Sequence, residues 1–189
     1  MDNVIHKAPI DIMDVIYARR AVRKYRDLPV EQALLEKILD AGRMAPSAMN
    51  RQPWKFYLID NRQTIQVFSN EILAAAKEEM HLLAGSPFLD SHDAVFHGAP
   101  VVIFLSAPTD NEWAAFDIGM CAQNMMLAAK ALGLDTCPIG LAKFVTHTPV
   151  YQRLHIPSSE KVMLAIVIGY GDEIPAIHAR NRDNVWFVQ

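Results

Sequence analysis

Between Trp113 and Leu132 the chain carries a helical pattern that is apolar almost all the way round. Ala114, Ala115, Gly119, Ala122, Ala128, Ala129 and Ala131 are interleaved with Phe116, Met120, Met125, Met126 and Leu127, so little polar surface is left to face water. Such a helix has to be covered on every side. A chain of 189 residues, 51% of them hydrophobic, can build one sizeable core and falls in the usual range for a single domain, here residues 1–189. One fold of that size shields one face. The other face is expected to meet the same helix of a second copy, where the small residues permit close approach. The alternative is a helix walled in at the centre of one chain.

The second constraint is the run Ala45-Pro46-Ser47-Ala48-Met49-Asn50-Arg51-Gln52-Pro53-Trp54. Pro46 and Pro53 fix φ and push the residues before them toward extended geometry, so the segment cannot continue an upstream helix and is stiffened at both ends. Between them Ser47, Asn50 and Gln52 offer uncharged donors and acceptors, a set suited to a heteroaromatic ligand whose edge alternates N–H and C=O. The alternative is an ordinary polar helix-to-strand connection.

Around these two stretches the chain alternates helix and strand patterns. Asp11 caps a short predicted helix to Ala18, which runs into Arg19, Arg20, Arg23 and Arg26, cations placed well for a helix C-terminus or simply solvated. Pro29 opens a second predicted helix with Leu34, Leu35, Ile38 and Leu39 as its stripe, ending near Gly42. Lys55–Ile59 is a predicted strand, 61–84 a helix with Ile65, Phe68, Ile72 and Leu73 inward, and 85–100 a looser segment. His92, His97, Asp90 and Asp93 in that segment lack any recognised metal-ligand spacing. Val101–Leu105 is a continuous apolar run, expected to be covered on both faces. After Gly133, Asp135–Leu141 reads as a short strand and turn in which Gly140 lets backbone approach a ligand. A short helix over Thr148–Leu154, a strand over Val162–Ile168 and a terminal strand over Val185–Val188 complete the reading. Gly169-Tyr170-Gly171 lacks the third glycine and the crossover helix of a dinucleotide fingerprint.

A net charge of −3 and a pI near 6.1 argue against broad nucleic-acid binding. No apolar run reaches the roughly 18 to 20 residues of a membrane span, and the amino terminus has no signal pattern, so a cytoplasmic protein is expected. Cys121 and Cys137 are expected to be reduced thiols.

Taken in order, Arg19-Arg20-Ala21-Val22-Arg23-Lys24-Tyr25, the Ala45–Trp54 run, Gly133-Leu134 through Pro138-Ile139-Gly140, and Arg180-Asn181-Arg182 resemble the flavin-dependent nitroreductase family over nearly the whole chain. The resemblance implies an α+β fold, a central mainly antiparallel sheet flanked by helices, in an intertwined homodimer with two FMN molecules at the subunit interface. By position it implies that Arg19, Arg20 and Arg23, with Ala21 between them and Arg180 and Arg182 joining from the tail, hold the FMN phosphate and ribityl chain. It places Pro46, Ser47, Ala48, Asn50 and Gln52 along the flavin, in part the flavin held mainly by the other subunit. It brings the backbone of Pro138, Ile139, Gly140 and Leu141 to the ring near its reactive nitrogen.

The activity so implied is transfer of electrons from NADH or NADPH, through FMN, to nitroaromatics, quinones or similar flat electrophiles, both substrates using one face in a ping-pong cycle. Two departures stand out. Ala21 occupies a position where these proteins often have serine, which removes one hydroxyl contact, and the stretch from Ser106 to Trp113 is short where some relatives carry a helical excursion. Competing readings are a reductive dehalogenase or flavin-fragmenting enzyme, which would need a lid not identifiable between Glu79 and Gly98, and a non-catalytic flavin-binding protein.

Overall fold

The computed structural model describes residues 11–79 and 93–188. Four strands, β1 (Lys55–Ile59), β2 (Val101–Pro108), β3 (Asp135–Ile139) and β4 (Glu160–Gly169), form one sheet in the order β1-β2-β4-β3, every neighbouring pair antiparallel. The helices are α1 (Ile12–Ala18), α2 (Gln32–Arg43), α3 (Arg62–Glu79) and α4 (Ala114–Ala131). The α+β class and the antiparallel sheet flanked by helices are as expected.

β2 runs through the middle, and its alternation splits the interior in two. Val102 and Phe104 turn toward α3 and the 3-10 helix Gly140–His147, joining Phe68, Ile72 and Phe144, while Val101, Ile103, Leu105 and Ala107 turn toward α2 and α4, joining Ile38, Ile118 and Met125. Every β2 residue from Val101 to Ala107 is buried, which is why the sequence shows an unbroken apolar run where a one-sided strand would alternate. α2 lies close on α4 because Gly42 has no side chain: a Cβ there would come within 2.8 Å of Met125 Cγ.

A polar knot ties three of the four strands together. At the irregularity between Leu105 and Ser106 the Ser106 hydroxyl donates to Glu160 Oε2 at 2.6 Å, and the Lys55 ammonium pairs with the other carboxylate oxygen. β1, β2 and β4 each contribute one member.

Several boundaries differ from the sequence reading. α2 begins at Gln32, after the extended Glu31, so Pro29 lies in the approach and not in the first turn; Glu31 is held by the Tyr170 hydroxyl at 2.7 Å. Residues Pro149–Leu154 form a 3-10 helix. The expected end of α3 near Ala84 falls outside the described residues. The expected strand at Val185–Val188 is not formed: among the described residues it pairs with no strand, and from 174 to 188 the chain has no regular secondary structure and is mostly exposed. No helix among the described residues is long and apolar enough to cross a membrane.

α4 keeps the promise of its composition. Ala114, Ile118, Cys121, Ala122, Met125 and Ala129 are buried, whereas Phe116 is 65% exposed and Trp113 and Met120 also stand open. One face is covered by this chain and the other is not.

Candidate functional site

The loop after α2 is held in an unusual backbone. Met49, Asn50 and Gln52 have φ of 54°, 54° and 47°, the left-handed region that asparagine tolerates and that methionine and glutamine ordinarily avoid at a cost of roughly 1 to 2 kcal/mol. The segment Ala48–Asn50 is a single 3-10 turn following an extended Ser47. Ser47 organises it from within: its hydroxyl accepts from Gln52 N at 2.9 Å and its carbonyl from Asn50 N at 2.9 Å. The Gln52 amide donates to Asn50 Oδ1 at 3.1 Å, so the two carboxamides are presented together at the exposed edge of the loop. Pro53 and Trp54 are buried and lead into β1.

Among the described residues, one side chain from elsewhere ties the loop to the body of the fold. Asp117, in the first turn of α4 and 1% exposed, accepts the Ala48 N–H on Oδ1 at 3.0 Å. Sequence reading of α4 looked only at its apolar residues and missed this one; the available signal was the one carboxylate in a helical run whose only other charge is Lys130 in the last turn, and a buried helix tolerates such a group only with a partner.

The arginines form a second group. After α1 the chain runs beside β3, with a bridge between Ala21 and Thr136, Val22 N donating to the Thr136 carbonyl at 3.0 Å, and the Tyr25 hydroxyl donating to the Val22 carbonyl at 2.6 Å. This lays Arg19 and Arg23 against β3. Their reach is visible in the Cys137 thiol, whose pKa burial pushes up while the Arg23 and Arg19 cations pull against it. His97 lies in the same neighbourhood, its pKa held below the ordinary value by burial and by Arg23. Arg20 is used differently: its guanidinium donates to the carbonyls of Tyr17 and Arg19, both at 2.7 Å, and it lines a cleft of about 320 Å³ together with Lys130, Asp135 and Glu173.

β3 ends in Pro138 and Ile139, and Gly140 starts the 3-10 helix that contains Leu141. Gly140 is exposed, with open space where a Cβ would stand, so its backbone N–H and carbonyl are approachable. Arg19, Arg23 and the Pro138–Leu141 turn thus share the β3 side of the molecule, whereas Pro46–Gln52 belongs to α4, and no hydrogen bond among the described residues joins the two groups. Arg180 and Arg182 lie in the exposed tail; its start is tied back to the fold by Arg23 N donating to Glu173 Oε1 and Asp172 N donating to the Lys24 carbonyl, whereas beside the two arginines the bonds among the described residues are local, Arg180 to the His178 carbonyl and Asp183 N to Asn181 Oδ1. Among the described residues no cluster of three or more His, Cys, Asp or Glu is placed to hold a metal ion.

Chemically the site offers cations along β3, an exposed glycine turn after it, and a hydrogen-bonded pair of neutral amides. It holds no side chain paired with a base as an activated nucleophile.

The model of the nitroreductase family matches residues 16–170. Among curated proteins the chain is 29% identical to a nitrobenzene nitroreductase of Ectopseudomonas oleovorans, covering 85% of this chain and 87% of that one, and 26% identical to a 4-nitrobenzoate reductase of Pseudomonas putida, covering 89% of each. Among solved structures, a nitroreductase with bound FMN from Bacteroides fragilis superposes with a TM-score of 0.84 at 26% identity, over 96% of this chain and all of that one. The FMN-dependent nitroreductase NfnB of Mycobacterium smegmatis in complex with NADPH gives 0.77 at 25% identity, over 94% and 97%. With the family model spanning the stretch from α1 to the end of β4, and with this sheet and these helices superposing on FMN-bound relatives, the chain belongs to the nitroreductase family.

Proposed function

We propose that this protein is an FMN-dependent oxidoreductase that passes electrons from NADH or NADPH to flat electrophilic acceptors, nitroaromatics and quinones among them. The observation that carries the reading is the meeting of Arg19 and Arg23 with the end of β3: two cations with no ion-pair partner among the described residues lie beside an open Pro138–Leu141 backbone turn. That donor set fits a phosphorylated flavin. Planar guanidinium forks match a phosphate dianion, and the turn offers backbone N–H groups to the ring. Arg20 belongs to the set through the chain it braces, since its bonds to Tyr17 and Arg19 hold the backbone that presents Arg19.

FMN supplies the electron relay when bound. The chain's residues bind and orient it: Arg19 and Arg23, joined by Arg180 and Arg182 from the tail, hold the phosphate; Ala21 follows the ribityl chain with backbone only; Pro138, Ile139, Gly140 and Leu141 border the ring; and Pro46, Ser47, Ala48, Asn50 and Gln52 close over it from the second copy of an intertwined homodimer. Two features support the dimer. The open face of α4 borders a cleft of about 580 Å³ that also contains Pro46, and the tail exposes Ile174, Ile177, Val185, Trp186, Phe187 and Val188. Residues 1–189 act as one FMN-binding domain, in the cytoplasm, where Cys121 and Cys137 stay reduced. The relatives named for nitrobenzene and 4-nitrobenzoate reduction support aromatic nitro compounds as one acceptor class.

The test is an absorbance spectrum of the purified protein, before and after anaerobic NADH or NADPH and then after an added nitroaromatic. A yellow protein that bleaches with either nicotinamide and recolours with the acceptor is expected. A colourless protein that takes up no FMN sinks the reading. Bound flavin that nicotinamide does not reduce favours a flavin-binding protein without this activity, and reduced flavin that a nitroaromatic leaves untouched favours dehalogenation or flavin fragmentation.

A further inference from the structure

The Pro46–Gln52 loop is internally bonded almost throughout, yet internal bonds do not fix where it stands relative to the rest of the fold. Ser47 closes it on itself through Gln52 N and Asn50 N, and the Gln52 and Asn50 side chains meet each other. Among the described residues, one side chain from elsewhere bonds to it: Asp117, 69 positions away, whose Oδ1 takes the Ala48 N–H at 3.0 Å. The second oxygen, Oδ2, is buried and has no hydrogen-bond partner. A carboxylate so placed is poorly suited to stability alone, because a neutral acceptor would make the same bond without a buried charge left over. Its position explains its presence better. α4 is the helix whose outer face stays open, and Pro46 lines the same cleft as Phe116 and Met120.

We propose that Asp117 is a positioning residue of the flavin site: its buried carboxylate clamps the Ala48 N–H and so sets the strained loop, with Asn50 and Gln52, at the register the assembled site requires. This rests on the proposed FMN function. The carboxylate acts through the loop and need not touch the cofactor.

The test is a titration of FMN into apoprotein, followed by flavin fluorescence, for the parent, Asp117→Asn and Asp117→Ala, with sedimentation of each. Asp117→Asn keeps an oxygen for the Ala48 N–H and should bind FMN within about threefold of the parent. Asp117→Ala removes the acceptor and should weaken FMN by at least tenfold in a protein that still sediments like the parent. Equal loss in both variants overturns the proposal, because then the charge or the packing matters and the clamp does not; so does parental affinity in the alanine variant. Should Asp117→Ala not fold, Ala48→Pro removes the same bond from the donor side. The preceding Ser47 is extended, with φ −144° and ψ 156°, as proline demands of its neighbour. That variant must lose FMN affinity by at least tenfold, and adding Asp117→Asn to it must cost nothing further; parental binding by Ala48→Pro overturns the clamp. A parent that binds no FMN would instead sink the functional reading, while a yellow parent with indifferent variants sinks only the role of Asp117.

Discussion

Single residues decide two properties here, acid stability and cofactor grip. Glu160 sits among β1, β2 and β4; burial alone would raise its pKa, but the bonds from Lys55 and Ser106 outweigh it and hold the carboxyl below its ordinary value. A depressed folded pKa means stability that is present above the ordinary glutamate value of about 4.3 and is lost as the pH falls through the folded value. Glu160→Gln should therefore melt below the parent at pH 7, and the gap should close as the pH drops through 4 toward 3; melting curves across that range check it, and a gap that stays constant or widens refutes it. The proposed phosphate site is tested most directly at Arg182. Far along the chain from Arg19 and Arg23, it can share an anion with them only through the assembled fold, so Arg182→Ala should weaken FMN roughly ten- to a hundredfold while hardly changing the already poor binding of riboflavin, which lacks the phosphate. Titration of both flavins into parent and mutant apoprotein reads this directly, and equal loss for the two flavins removes Arg182 from the phosphate site. At this scale the sequence was only partly legible. The cluster containing Arg19 and Arg23 stood out as a local pattern beside a helix end, a pattern that fits solvated cations as well as an anion site, but Asp117 and Glu160 owe their meaning to Ala48 and to Lys55 and Ser106, partners that only the folded chain supplies.

Among the elements, α4 was the most readable and makes the sharpest prediction. An all-round apolar pattern announced that more than one surface covers it, and the structure leaves the Phe116, Met120 and Trp113 side open in the single chain. Met120→Glu changes helix propensity little and, at a partly exposed position, leaves the new carboxylate within reach of water in the isolated chain. In a dimer built on that face it buries an unpaired charge, at a cost of several kcal/mol. The variant should remain helical by circular dichroism, sediment as a monomer and lose its yellow colour; a yellow, dimeric Met120→Glu protein removes this face from the interface. β2 and β4 were legible because burial on both faces leaves continuous apolar runs, whereas the start of α2 was misread because Pro29 suits a helix's first turn and equally suits the extended approach it occupies. The segment 185–188 has the composition of a strand but no neighbouring strand among the described residues, and composition cannot supply the neighbour.

At the scale of the whole molecule, the tail and the open face of α4 both ask for a second copy. Ile174, Ile177, Val185, Trp186, Phe187 and Val188 are 66% to 99% exposed, and at about 1.5 to 3 kcal/mol for each large apolar side chain taken out of water, covering them is worth on the order of 10 kcal/mol before ordering costs. Added to the apolar face of α4, that gross gain is expected to outweigh the cost of association and ordering, so the parent should sediment as one dimeric species into the nanomolar range and separate only on unfolding. Removing residues 184–189 deletes the densest part of the apolar tail while keeping Arg180 and Arg182. The α4 face remains in the truncated protein, which should therefore still dimerise, but with a dissociation visible at micromolar concentration and a melting temperature that rises with protein concentration. FMN affinity measured well above that dissociation constant should stay near the parental value, because the phosphate arginines are intact; measured below it, affinity should collapse. If the shortened chain behaves as the parent does at every concentration, the tail contributes nothing to assembly, and α4 alone must account for the dimer. A parent that sediments as a stable, folded monomer at micromolar concentration refutes the two-subunit site altogether.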